Sequence, residues 1–196
     1  MKRLLTLLSL TLLLAGCSGL RLVESQVSTA APAGAATIEP GARYRFERLP
    51  SQTNPVETDS VEAIAESELN EVGMVHDEAG ARYSAQITTR MESYQVDDWG
   101  RPYRGGGSIY IGGGTMGIGV GSVIGMRFPP PSQYRHEVTL LLRDLSNNQV
   151  VYETRATHEG PWNDRYNILR ATLAAALKDF PKAPAGSRRV KVEIPR

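Results

Sequence analysis

Two alternating segments, residues 134–145 and 149–158, separated by Ser146-Asn147-Asn148, constrain the fold most. Val138, Leu140 and Leu142 recur at every second position of the first, and Tyr152, Thr154 and Ala156 of the second. A period of two marks a strand with one buried face, and asparagine tolerates the positive φ that a tight turn needs. Burial also fixes the register. Pairing Leu145 with Gln149 leaves a three-residue loop and sets Leu142 opposite Tyr152, Leu140 opposite Thr154 and Val138 opposite Ala156. A one-residue slip would scatter the apolar face.

The rest of the chain supplies partners for this hairpin. In residues 42–49, Ala42, Tyr44 and Phe46 alternate with Arg43, Arg45 and Glu47, and Pro50 ends the strand. Asn54-Pro55-Val56-Glu57 is a helix start, with an N-cap, a proline in the first turn and a glutamate to close a capping box. Val61, Ile64, Ala65, Leu69 and Val72 come next at helical spacing and Gly73 stops the helix, with Glu57, Glu62, Glu66, Glu68 and Glu71 mostly on the wet side. A second strand spans residues 81–91, with Tyr83, Ala85 and Ile87 on one face. After Gly160-Pro161, where Trp162 is expected to pack the turn against the core, Asn163 or Asp164 caps a second helix. Its stripe is Tyr166, Leu169, Leu173, Ala176, Leu177 and Phe180, and Pro181 stops it. Val190, Val192 and Ile194 mark a last strand. This order predicts an α+β fold: a two-layer sandwich, an antiparallel or mixed sheet with two helices on one face, plus a glycine-rich hairpin or loop insert.

The N-terminus is not part of that fold. Lys2 and Arg3 precede eleven residues, 4–14, of which eight are leucine. A bilayer core needs about 20 helical residues, so the segment reads as a signal peptide. It runs into Leu14-Ala15-Gly16-Cys17, and Cys17 is the only cysteine. These residues resemble the lipobox of bacterial lipoproteins. The resemblance implies cleavage before Cys17 and a covalent diacylglyceryl and N-acyl (palmitate) lipid on it. Ser18 stands where aspartate would retain the protein at the inner membrane, which implies the periplasmic face of the outer membrane. Each buried CH₂ of the acyl chains contributes about 0.8 kcal/mol to anchoring. The expected organisation is a signal peptide over 1–16, a lipidated Cys17 with a flexible linker over 17–40, and a periplasmic domain over 41–196. Residues 20–23 are a candidate short strand within a linker whose r.m.s. reach would be roughly 25 Å.

Charge excludes some functions. The whole chain carries 22 basic and 21 acidic side chains, and removing Lys2 and Arg3 leaves 20 against 21. No bulk charge draws a nucleic acid, and one cysteine allows neither an internal disulfide nor a cysteine-based zinc cluster.

Glycine is unevenly placed. Residues 105–126 carry no charge and ten glycines, inside a Gly/Pro-rich insert spanning 99–131. Gly112, Gly114 and Gly117 fit a dinucleotide-loop spacing, but residues 117–125 make a poor helix for a pyrophosphate. Gly113, Gly117, Gly121 and Gly125 recur every four residues, as in a membrane glycine zipper. The alternation in 108–111 and 117–124 fits a hairpin or loop, and this is the expectation carried forward. Trp99, Tyr103 and Tyr110 border or sit in the insert as candidate partner contacts.

Candidate chemistry is sparse. The hairpin register pairs His136 with His158, a weak metal candidate without an evident third ligand; the alternative is two exposed strand-end histidines. Asp97-Asp98 reads as a solvated loop, and no nucleophile elbow or His-Glu-x-x-His motif occurs.

From Tyr44 onward the chain resembles a family of Gram-negative lipoproteins known as domain of unknown function four-one-three-six. The resemblance rests on Tyr44-Arg-Phe, Leu69-Asn-Glu-Val-Gly73-Met, Ala81-Arg-Tyr-Ser-Ala, the glycine-rich insert, Asp144 before the turn, Val150-Val-Tyr152, and a helix ending Phe180-Pro181. The family often has Asp at the position of Arg82 and Trp at that of Tyr152. The resemblance implies an envelope α+β domain and carries over no functional residue. The expected function is a non-enzymatic envelope interaction module, with an unknown protein partner, the membrane reached through its lipid, and no nucleic acid, metal or cofactor beyond that lipid. The alternatives are a carrier of lipids or other hydrophobic ligands and an envelope hydrolase.

Overall fold

The computed structural model describes residues 19–32, 37–96, 131–182, 184 and 186–195. In chain order the elements are β1 (Leu20–Ala30), β2 (Arg43–Phe46), α1 (Pro55–Glu71), β3 (Val75–His76), β4 (Tyr83–Gln95), β5 (Ser132–Asp144), β6 (Gln149–Gly160), α2 (Arg165–Leu177) and β7 (Ser187–Pro195). The strands form one mixed sheet in the order β3-β2-β4-β5-β6-β1-β7. β2 runs parallel to β3 and to β4, and every other neighbouring pair is antiparallel. Both helices lie on one face of the sheet and touch each other. The fold is thus the expected α+β sandwich; the glycine-rich insert lies outside the described residues.

The central hairpin has the register that burial demands. Leu142 faces Tyr152, Leu140 faces Thr154 and Val138 faces Ala156. Its tip differs from expectation. Arg143 pairs with Val150 and Asp144 with Gln149, so Val151 is an extra residue, a β-bulge, and Leu145 joins the turn. The bulge lets Val151 and Tyr152, neighbours in sequence, both be buried. Asn148 supplies the positive φ of the turn (61°).

The linker expected over 17–40 is the main correction. Residues 20–30 form β1, an inner strand between β6 and β7. Its buried side chains are Val23, Ser25, Val27 and Thr29, whereas Leu20 and Leu22 point the other way. Apolar residues on both parities and polar ones inside cancel the period of two, so the composition of a linker conceals a strand. Only Ser18 and Gly19 then stand between Cys17 and the first residue of the sheet.

The ends of α1 obey the cap chemistry, and the start of α2 does not. The Asn54 side chain accepts the Glu57 amide at 3.4 Å, and Gly73 ends the turn after α1 with φ +87°. Asp164 occupies the N-cap of α2 without a side-chain cap bond; its carboxylate instead accepts from Asn167 Nδ2 at 2.8 Å. Tyr166, expected in the buried stripe, is exposed, while Ile168 is buried in its place. The core between sheet and helices contains Val27, Tyr44, Leu69, Leu140, Leu142, Tyr152, Leu173 and Leu177.

Candidate functional site

The antiparallel ladders bring several features to one end of the sheet. Leu20 pairs with Pro195, Tyr134 with Gly160, and Gln95 with Ser132. That end therefore holds the start of β1, the ends of β4, β6 and β7, the start of β5 and the start of α2. Leu20 is the third residue after Cys17 in sequence. Cys17 itself, with Leu14, Ala15 and Gly16, lies outside the described residues, as do Trp99, Tyr103, Tyr110 and Asp97-Asp98. Both flanks of the insert, Val96 and Pro131, meet at this same end, where the Val96 amide donates to the Pro131 carbonyl at 3.2 Å.

Trp162 is not packed into the core: 38% of it is exposed. The Arg21 guanidinium lies 4.8 Å from its ring centroid and reaches Asp164 Oδ2 at 3.5 Å. Arg21 thus ties β1 to the β6–α2 turn. Sequence reading misses it, since its setting depends on β1 lying beside β6; only the short Leu20-Arg21-Leu22-Val23 run hints at a strand.

His136 and His158 are brought together as the register requires, their ring centroids 6.4 Å apart. They are buried, each about 5% exposed, rather than exposed at the strand ends. His136 Nε2 donates to the Trp162 carbonyl at 3.3 Å, and His158 Nδ1 to the Glu24 carbonyl at 2.8 Å. His158 Nε2 is buried without a partner. Burial is the largest influence holding His136 below the usual histidine range. Glu137 and Glu159 point to the opposite face, where they pair with Arg155 and Arg135. Among the described residues no group of three metal-type side chains converges, the minimum a zinc site draws from protein.

Two recesses flank the helices. One, lined by Thr89, His136, Leu169 and Thr172 among others, has about 20 Å³, room for a water and not for an acyl chain. The other, of about 330 Å³, lies between Ser51–Thr58 and Thr88–Thr89. Glu68, buried on α1 beside Arg170, is pushed up to about 7, chiefly by burial and then by Glu71; it lines neither recess.

The sheet face away from the helices is open and carries charge of both signs. Arg135 lies between Glu92 and Glu159 in register, and Glu24 lies opposite Lys191. Arg135 and Glu159 pair at 2.5 Å, Arg155 and Glu137 at 2.5 Å, and Tyr94 Oη donates to Glu159 at 3.2 Å. Among the described residues, no helix is long and apolar enough to cross a membrane.

Such a chain is a membrane-anchored lipoprotein with an α+β domain. Residues 1–18 match the prokaryotic membrane lipoprotein lipid attachment site. Residues 31–182 match the model of the domain of unknown function (DUF4136), and the chain belongs to that family. Among solved structures it is similar to a PDZ domain protein from Parabacteroides distasonis, with a TM-score of 0.56 and 12% identity, covering 94% of this chain and 41% of that one. It is also similar to PelC from Paraburkholderia phytofirmans, a dodecamer, with a TM-score of 0.45 and 16% identity over 78% of this chain and 94% of that one. No curated protein matches. Likeness at these identities speaks to the fold alone.

Proposed function

We propose that the chain is an outer-membrane lipoprotein, facing the periplasm, whose domain is a non-enzymatic interaction module for an envelope protein. The open sheet face carries this reading. Its charges alternate in sign along the register, so it exerts no net pull on a polyanion and instead favours a partner with a complementary pattern. The buried groups with shifted acidity serve the interior: His136 is tied to a backbone carbonyl and Glu68 faces Arg170. Ser18 after Cys17 supports outer-membrane sorting.

A photo-crosslinking residue placed at Thr157 tests the reading in cells. Thr157 stands on the open face between Glu137 and Gln26 in register. One envelope protein is expected in the adduct, and Arg155→Glu, which puts like charge beside Glu137, is expected to abolish it. The same probe at Asn70, exposed on α1, gives no such adduct. Equal adducts from both positions, or none from Thr157, would overturn the open face as the contact.

A further inference from the structure

Among the described residues, seven large apolar side chains remain exposed, and four of them, Leu20, Leu22, Trp162 and Tyr166, belong to the end of the sheet where β1 starts and β6 passes into α2. Leu20 and Leu22 border this end from the open face of the sheet and Trp162 and Tyr166 from the helix side, with Arg21 between them at the start of β1. The chain neighbours of Arg21 are Leu20 and Leu22, and its guanidinium stacks over Trp162. Leu20 and Tyr166 are each more than half exposed. Two leucines, a tryptophan and a tyrosine left exposed at one end of a small domain make an unusual surface in water. At the headgroup level of a bilayer it is the ordinary one.

The anchor puts this end against such a bilayer. Only Ser18 and Gly19 separate Cys17 from Leu20, so the lead is at most about 10 Å of extended chain. That is comparable with the interfacial layer on one side of a membrane, roughly 5–8 Å. A domain on so short a lead cannot swing freely, and the end that must lie nearest the lipid is the one carrying the exposed apolar side chains. The charge among them is already met, because Arg21 reaches Asp164 at 3.5 Å while covering the Trp162 ring.

We propose that this end of the sheet is a protein-borne membrane contact: Leu20, Leu22, Trp162 and Tyr166 seat in the interfacial layer of the leaflet that holds the acyl chains of Cys17. The proposal rests on the reading of Cys17 as the lipidated residue. The strands then stand away from the membrane, with the β5–β6 turn at the far end of a 13-residue strand, about 40 Å off. The contact is apolar, so it needs no anionic lipid.

The test uses the full lipoprotein carrying Trp99→Phe, which leaves Trp162 as the single indole, reconstituted into phosphatidylethanolamine vesicles. Lipid brominated high on its acyl chains is expected to reduce Trp162 emission about twofold, as for an indole at headgroup depth. Soluble iodide is expected to quench it less than it quenches the same protein after proteolytic release from the vesicles. Leu20→Asp with Leu22→Asp is expected to abolish the bromine quenching while the protein still floats with the vesicles. Both leucines are exposed, so the pair leaves the fold intact, which circular dichroism checks. Protein that floats but shows no bromine quenching would overturn the proposal, as would iodide protection that grows with protein density, which signals a second copy on the patch. Protein that does not float would overturn the lipid anchor, and the contact with it.

Discussion

His136 and His158 face each other across β5 and β6 at a centroid separation of 6.4 Å, and each commits one ring nitrogen to a backbone carbonyl. The bonds reach outward from the pair: His136 holds the Trp162 turn and His158 holds β1 at Glu24. The two rings therefore clamp the β6–α2 junction and β1 to the central hairpin. Those are the two segments that meet again at Arg21 and Trp162.

Protonating His136 should cost stability, because the cation is buried, even though its bond to the Trp162 carbonyl survives. Burial lowers His136 most, and His158 and Arg165 push the same way against the Trp162 carbonyl. An unfolded histidine titrates near 6.5. As pH falls below that value the unfolded chain takes up a proton that folded His136 resists, so stability is lost on acidification. Urea midpoints for the wild type and for His136→Gln, measured across pH 7 to 5, check this. The wild type should lose more over that interval than the variant, and an NMR titration should place His136 below free histidine.

Glu68 works in the opposite direction. An unfolded glutamate ionises near 4.5 and the folded one near 7. Between those values the folded state keeps a proton that the unfolded state has lost, so stability falls as pH rises through that window and levels off above it. The displacement corresponds to about 3 kcal/mol. Glu68→Gln should therefore be more stable than the wild type at pH 8 by a sizeable part of that amount, and no more stable at pH 4. Because the two groups pull oppositely, each slope is read from the difference between variant and wild type, not from the wild-type profile.

The sequence speaks clearly where one face is apolar and the other polar. Val138, Leu140 and Leu142 against Tyr152 and Ala156 set the register to the residue, and with it the meeting of His136 and His158. The Asn54 cap and the Gly73 stop are equally legible, since each answers a local backbone need. β1 is not, because Ser25 and Thr29 face inward while Leu20 and Leu22 face out. Its place between β6 and β7 depends on pairing over more than 130 residues, as from Ser25 to His158, which no local pattern records. The meeting of Arg21 with Trp162 and the exposed apolar end of the sheet are hidden with it. The bulge at Val151 escapes for a related reason: the turn and the strand body ask for registers that differ by one.

Thr154 joins sheet to helix. Its Oγ1, fully buried, donates to the Ala176 carbonyl near the end of α2 at 3.1 Å and lies 3.2 Å from Thr29 Oγ1. Tyr152 Oη is the other neighbour of that carbonyl, at 3.5 Å. Thr154→Val preserves shape but leaves Ala176 O nearly unmet, at a cost of about 1–3 kcal/mol. A thermal melt should fall by several degrees, about 2–4 °C per kcal/mol for a domain of this size. Thr139→Val, on the open face of β5, should change it by much less, because water can satisfy what that hydroxyl loses.

Removing residues 105–126 separates the fold from the contact it is proposed to make. The β4–β5 ladder is closed before the insert begins: Gln95 pairs with Ser132, and the Val96 amide donates to Pro131. The deletion leaves residues 97–104 and 127–130 between those closing pairs, twelve residues, ample for a connection whose ends already touch. Lengthening or shortening such a loop changes its closure entropy only slowly, so the melting temperature should stay within a few degrees of the wild type. Tyr110 leaves with the deletion, whereas Trp99 and Tyr103 remain. If the insert is a contact arm, the Thr157 adduct is lost although the domain is still folded. If the open face suffices, the adduct survives, and the arm is dismissed while the charge pattern around Arg135 and Glu159 keeps the role.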